Sequence, residues 1–235
     1  MKLENAVVLV TGANRGLGQA FVDELLAAGV KKIYAAARDP ASITTAGVER
    51  VKLDVTRPED IAGAAESCPD VTLLINNAGI TRGSSFLAAG SVTAARAEFE
   101  TNFFGPLALS QAFAPVLAKN GGGAIVNVLS ALAWLNIAGA ATYSASKSAA
   151  WSLTNGLRNE LRAQGTQVVA LHVGFMDTDM TKGIEMPKSK PADVVRQTLA
   201  VLAAGGEEVL ADEVSRQIKQ GLSAVPGSYM GTGSA

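Results

Sequence analysis

Two side chains four residues apart, Tyr143 and Lys147, carry the most specific chemistry in this 235-residue sequence. On a helix that spacing puts both on one face, where each can alter the other. A free tyrosine titrates near pH ~10, too high for useful proton transfer at neutrality. A neighbouring ammonium stabilises the phenolate, so the pair could give a proton to a ketone oxygen or take one from an alcohol. Exposed helices produce Tyr-x-x-x-Lys by chance, and the residues that accompany it decide the reading. The strongest companion is Thr11-Gly12-Ala13-Asn14-Arg15-Gly16-Leu17-Gly18, directly after the apolar run Ala6–Val10. Glycines there permit positive φ and close approach of the main chain to a ligand. A helix over Gly16–Ala28 would point its unpaired N–H groups at the turn, which suits a pyrophosphate.

Other chemistries are excluded by what is scarce. His172 is the only histidine and Cys68 the only cysteine. Ser-His-Asp hydrolysis, a thiolate zinc cluster and an internal disulfide therefore fall away, and no metal is expected. His172 reads as a packed strand-end residue. Twenty basic against 21 acidic residues leave a net charge of −1, too little to hold a phosphate backbone, so no nucleic-acid partner is expected. A content of 48% hydrophobic and 17% charged residues excludes a disordered chain. Met1-Lys2-Leu3-Glu4-Asn5 lacks the charged-then-apolar layout of a signal peptide. The most membrane-like stretch, 124–141, contains Asn127, Ser130, Asn136 and Gly139 and reads as a buried strand and loop. A cytoplasmic protein without membrane contact is expected.

The elements that must position these residues alternate along the chain. Short apolar runs occur at Ala6–Val10, Lys32–Ala36, Val48–Leu53, Val71–Ile75, Gly123–Leu129 and Gln167–Val173. Between and after them, helical spacing covers Gly16–Ala28, Pro58–Glu66, Ala94–Ala118, Thr142–Ala163 and Pro191–Ala204. Near-continuous Val, Ile and Leu in the short runs suit a parallel sheet covered on both faces. The pattern predicts one doubly wound α/β domain over 1–235, a Rossmann-type parallel sheet of about seven strands with helices on both faces. The stretch from about 224 to 235 is expected to be a mobile tail.

The spacing Gly-x-x-x-Gly-x-Gly, followed in order by Asn76-Asn77-Ala78-Gly79, Asn102, Ser130 and Tyr143-x-x-x-Lys147, resembles the short-chain dehydrogenase/reductase family over almost the whole chain. Ser130 stands 13 residues before Tyr143, the family's spacing. The resemblance implies that Ser130 hydrogen-bonds the substrate oxygen and holds it against Tyr143. It implies that Asn102 loosens its helix and fixes a water linked to Lys147; otherwise Asn102 is a helix irregularity before Pro106. It also implies a dinucleotide held by Gly12, Asn14, Arg15, Gly16, Leu17, Gly18, Asn77, Ala78, Gly79, Tyr143 and Lys147. Asp54 and Val55 are expected at the adenine, and Gly174 and Thr178 at the nicotinamide. Val173 stands where relatives usually have proline, which leaves that loop less constrained. Ala37 occupies the position where NAD-using relatives carry a carboxylate, and Arg38 follows it. Arg15 and Arg38 could clamp a 2′-phosphate, so NADP(H) is expected over NAD(H). Asp39, one residue on, keeps the alternative open.

The expected activity is hydride transfer between NADP(H) and a hydrophobic ketone, aldehyde or secondary alcohol, by a carbonyl reductase or alcohol dehydrogenase. An NAD-dependent alcohol dehydrogenase and a non-catalytic dinucleotide sensor are the rivals. The expected substrate pocket is apolar: Leu132, Trp134 and Leu135 after Ser130, with Phe175, Met176 and Met180 from the loop of 175–190. Family members pair the two long helices in a four-helix bundle, so a homodimer or homotetramer is expected, with Trp151 and Leu157 as candidates for burial in it.

Overall fold

In the computed structural model, which describes residues 1–230, alternation of strand and helix produces one seven-stranded, wholly parallel sheet. The strands are β1 (Val7–Thr11), β2 (Lys32–Ala37), β3 (Glu49–Lys52), β4 (Leu73–Asn76), β5 (Ala124–Val128), β6 (Gln167–His172) and β7 (Glu208–Leu210), in the spatial order β3-β2-β1-β4-β5-β6-β7. The order reverses between β1 and β4, where open α/β sheets place their ligand crevice. The helices are α1 (Gly16–Ala27), α2 (Pro58–Ser67), α3 (Ser91–Phe99), α4 (Gly105–Lys119), α5 (Ala141–Glu160), α6 (Pro191–Ala203) and α7 (Glu213–Gln220).

Successive strand residues point to opposite faces, and this splits the core in two. On one face Val8, Val10, Ile33, Ile75, Val126 and Leu171 pack against Phe21 and Leu25 of α1 and Val195 and Leu202 of α6. On the other Leu9, Leu74 and Ile125 meet Ile61 of α2, Leu109 and Phe113 of α4 and Leu157 of α5. Burial of strands on both faces is why they read as continuous apolar runs. Leu157, expected between subunits, belongs to this internal core. Trp151 packs edge-to-face on Trp134, with ring centroids 6.2 Å apart.

Two differences from the sequence expectation concern elements. The stretch 94–118 is not one helix: between α3 and α4 a π-helical turn spans Glu100–Phe104. The sequence pattern gives no position for the seventh strand, the short β7, and no α7. A three-residue strand holds too few apolar residues to show a period, and α7 buries only Ser215. Within the expected tail a 3₁₀ turn spans Ser228–Met230, with the Ser228 hydroxyl donating to Ile218 O at 3.1 Å. Residues 231–235 lie outside the described residues.

Candidate active site

The carboxyl ends of β1, β4 and β5 are stitched by side chains whose types were set in the sequence. Thr11 Oγ1, at the last residue of β1, donates to Ile75 O and accepts from the backbone N–H groups of Asn77 and Ala78. Asn77 Nδ2 donates to Thr11 O at 2.8 Å and to Gly12 O at 3.3 Å. Asn76 donates to Asn127 of β5, which in turn donates to Thr154 of α5. These bonds fix the crevice floor and leave the turn after β1 open above it.

That turn fits a dinucleotide pyrophosphate. Gly12 adopts φ +64°, and a Cβ at Gly18 would collide with Gly12 O and lie 2.6 Å from Asn77 Nδ2. Only glycine lets the start of α1 sit so close to the strand end. No side chain caps α1: its N-cap Arg15 makes no such bond, so the first N–H groups remain available to an anion. Leu17 faces the core and Asn14 is half-buried in the turn. Thr178 overlies the turn, since a Cβ on Gly16 would be 3.5 Å from its methyl carbon. Arg15 is exposed and lies 3.6 Å from Asp179 of the same loop.

At the end of β2, Ala37 is buried and Arg38 is exposed. Asp39 is committed elsewhere: its carboxylate accepts from Ala41 N at 3.0 Å and caps a short 3₁₀ turn. Among the described residues the Arg38 guanidinium makes no hydrogen bond or ion pair, while one oxygen of the Asp39 carboxylate is taken by Ala41 N. Asp54 lies two residues beyond β3 and not in it, with its carboxylate bound to the Thr56 N–H and hydroxyl. Val55 is buried, and a Cβ on Gly105 would press on it at 3.0 Å. Both have clear structural roles, and nothing in their geometry requires an adenine contact.

Ser130 follows β5 by two residues, with its hydroxyl accepting from Leu132 N at 3.1 Å. Tyr143 and Lys147 share one face of α5, with Lys147 Nζ 5.7 Å from the Tyr143 ring centroid. The ammonium donates to Val128 O at 2.9 Å and the residue is only 5% exposed. Burial pushes the lysine down to about 8 and the tyrosine hydroxyl up to about 12. The nearby Ser130 hydroxyl favours the phenolate, and the charge of Glu98 opposes it. The tyrosine thus lies above its ordinary value and not below it. Desolvation of the buried phenol is the largest influence on it.

Asn102 occupies the π-helical turn and is 1% exposed. Its amide accepts from Ile80 N and donates to Ile80 O and Ser146 Oγ, each at 2.9 Å. The looser turn frees this side chain to bind the loop after β4. Asn102 does not touch Lys147, but both border one spot. A Cβ on Gly79 would be 3.3 Å from Asn102 Oδ1 and 3.7 Å from Lys147 Nζ.

The apolar wall is partly different from expectation. Leu132, Leu135, Phe175 and the exposed Met180 remain available to a substrate. Trp134 is 8% exposed and turned away, stacked on His172 with centroids 3.9 Å apart and an interplanar angle of 20°. Met176 packs on the core and bridges Ser189, which pins the base of the 175–190 loop. Gly174 N–H donates to Asp212 at 2.6 Å, so the loop that lacks its proline is anchored by the N-cap of α7 instead.

Three contributors escaped sequence reasoning: Asp212, Ser146 and Glu98. Glu98 is fully buried, accepts from Arg82 N at 2.6 Å, and has one carboxylate oxygen without a partner. An acid one turn before Asn102 in an apolar helix was the available signal for it. Among the described residues no cluster of His, Cys, Asp or Glu could hold a metal, and no helix is long and apolar enough to cross a membrane.

A family model described as short chain dehydrogenase matches residues 6–188. The chain is 30% identical over 246 residues to the 3-oxoacyl-(acyl-carrier-protein) reductase FabG of Salmonella typhimurium, covering 98% of this chain and 100% of that protein. A short-chain dehydrogenase from Burkholderia cenocepacia, solved in complex with NADP, superposes with a TM-score of 0.91 at 42% identity over 95% of both chains. An NADPH-bound carbonyl reductase from chicken fatty liver gives a TM-score of 0.76 at 31% identity, over 84% of this chain and 91% of that one.

Proposed function

This chain belongs to the short-chain dehydrogenase/reductase family of oxidoreductases, and we propose that it is an NADP(H)-dependent reductase of hydrophobic ketones and aldehydes. The observation that carries this reading is the convergence of Ser130, Tyr143 and Lys147 at the carboxyl edge of the sheet, beside an uncapped helix start. NADP(H) is the cofactor that fits: the two solved relatives described above carry NADP and NADPH, and Arg38 is the free charge where a 2′-phosphate would sit. Gly12, Gly16 and the N–H groups of Leu17 and Gly18 would receive the pyrophosphate, with Thr178 above them. Bound there, NADPH supplies the hydride.

The remaining chemistry belongs to the chain. Ser130 donates a hydrogen bond from its hydroxyl to the carbonyl oxygen and polarises it. Tyr143, held protonated by burial, gives its proton to that oxygen as charge develops on it. Lys147, poised near neutral pH, favours the resulting phenolate when charged and passes a proton back. Asn102 and Gly79 border the exit from Lys147, the place for a water-borne relay.

Leu132, Leu135, Phe175 and Met180 favour an apolar substrate in a fairly open cleft. The FabG relative favours a second substrate class within the same reaction, a 3-oxoacyl thioester. Working in the cytoplasm and assembling as a homodimer or homotetramer go with this reading. An NAD-dependent alcohol dehydrogenase or a non-catalytic sensor is the competing assignment. NADPH oxidation at ~340 nm, followed with aryl ketones, small aliphatic ketones, a 3-oxoacyl thioester and a sugar, separates them. Tyr143→Phe is expected to lower kcat by on the order of 10³-fold. Unaltered turnover in that variant, or a strict preference for small polar sugars, overturns the assignment.

A further inference from the structure

His172 is the last residue of β6 and is fully buried. Its Nδ1 lies 3.2 Å from the backbone carbonyl oxygen of Ser130, on the neighbouring strand's extension. A carbonyl only accepts, so this contact places the proton on Nδ1 and the lone pair on Nε2. Nε2 has no hydrogen-bond partner and faces a Glu208 oxygen at 3.9 Å. That carboxylate is itself paired with Lys219, whose Nζ stands 5.7 Å from the Trp134 ring centroid. The face of the imidazole stacks on Trp134.

One side chain therefore grips both ends of the segment 130–134. Between those ends, the segment is wound by Leu132 N on Ser130 Oγ, Ala133 N on Ser130 O and Trp134 N on Ala131 O. Ala131 N is tied to Val173 O, next to His172. Ser130 Oγ is thus aimed by a short turn tied to the β6 end and its imidazole, and to α5 through Ser148 Oγ, which donates to Ala133 O at 2.8 Å. A purely apolar residue would fill the volume but leave the Ser130 carbonyl one donor short. A small polar residue would keep the donor and lose the platform under Trp134.

We propose that His172 is a positioning residue for Ser130: its Nδ1–H and ring face together hold the 130–134 turn so that the serine hydroxyl meets the substrate oxygen in line with Tyr143. This rests on the reductase reading for its effect on turnover but not for its effect on local structure. The imidazole makes no contact with the crevice and takes no part in proton transfer. It acts through the main chain of Ser130 and the indole of Trp134.

Three proteins test this: wild type, His172→Phe, which keeps a ring of similar size but no donor, and His172→Asn, whose amide Nδ2 can take the place of Nδ1. The readouts are kcat and KM for the carbonyl substrate, the Kd for NADPH, and amide hydrogen exchange at residues 131–134. His172→Phe is expected to lose ~10-fold in kcat with Kd for NADPH unchanged, and to exchange ~10-fold faster at those amides. His172→Asn, which keeps the donor but not the platform, is expected to recover part of the turnover and protection and so to stand above the Phe variant, even where its melting temperature is lower. Wild-type kcat and exchange in His172→Phe, or an Asn variant as impaired as the Phe variant, overturns the proposal. If wild type reduces no carbonyl at all, the reductase reading fails, and the exchange comparison still decides the role of His172.

Discussion

Tyr143 and Lys147 show how burial and charge compete at single residues. The lysine is held near pH 8 against an ordinary value of 10.5, and the tyrosine near 12 against 10. Between pH ~8 and ~10.5 the unfolded chain keeps a lysine proton that the folded chain has released, so folding stability rises with pH across that window. At ~1.4 kcal/mol per unit the gain is roughly 3 kcal/mol. Thermal melts from pH 7 to 9.5 should therefore show wild type gaining on Lys147→Met, and parallel curves would contradict a buried, near-neutral lysine. Tyr143 acts in the opposite sense above pH ~10, where the unfolded chain ionises first. Arg38 gives the second prediction at this scale. Its guanidinium is exposed while Asp39 is bound to Ala41 N, so Arg38→Asp should weaken NADPH by ~100-fold or more and NADH little. Fluorescence titration with both cofactors checks this, and equal effects would remove the phosphate clamp.

At the scale of elements, the π-helical turn at Glu100–Phe104 is the feature on which the site's shape depends. A regular helix through this stretch would rotate Asn102 away from Ile80 and Ser146. Three hydrogen bonds from one buried amide hold the loop after β4 to α5. Asn102→Ala leaves Ile80 N–H and C=O unpaired, which costs about 2–4 kcal/mol. The expected result is a lowered melting temperature together with a raised KM, because the loop that walls the crevice loses its tie. A variant with the same melting temperature and kinetics as wild type would remove Asn102 from the framework. The periodicity of 94–118 made this stretch legible as helical, but not as interrupted. A π turn changes the hydrogen-bond register by one residue without changing which residues are apolar.

For the molecule as a whole, the open question is what covers the outer face of α3, the π turn and α4. Phe99, Phe103 and Phe104 form an edge-to-face ladder with centroid separations of 6.2 and 5.0 Å. Phe104 is 47% exposed and Val92 66%. Exposed aromatic area of this kind is costly in water and favours association. Light scattering is expected to give a dimer or tetramer for wild type and a smaller species for Phe104→Asp. A concentrated wild-type monomer would refute the oligomer. Leu157 is no part of that argument, since it lies in the subunit's own core.

The sequence by itself determined the alternation of strand and helix, the glycine turn after β1 and the order of Asn102, Ser130, Tyr143 and Lys147. These are local matters, decided by side-chain period, by φ and by spacing along one element. Tertiary structure alone decided which way Trp134 faces, that Asp212 replaces the missing proline's constraint, and that Asp39 is occupied. It also decided that desolvation is the largest influence at Tyr143, and that a lone histidine meets the main chain of Ser130. Each of these depends on contacts between residues far apart in the chain and on how much water they exclude, and neither quantity is written in any one stretch of residues.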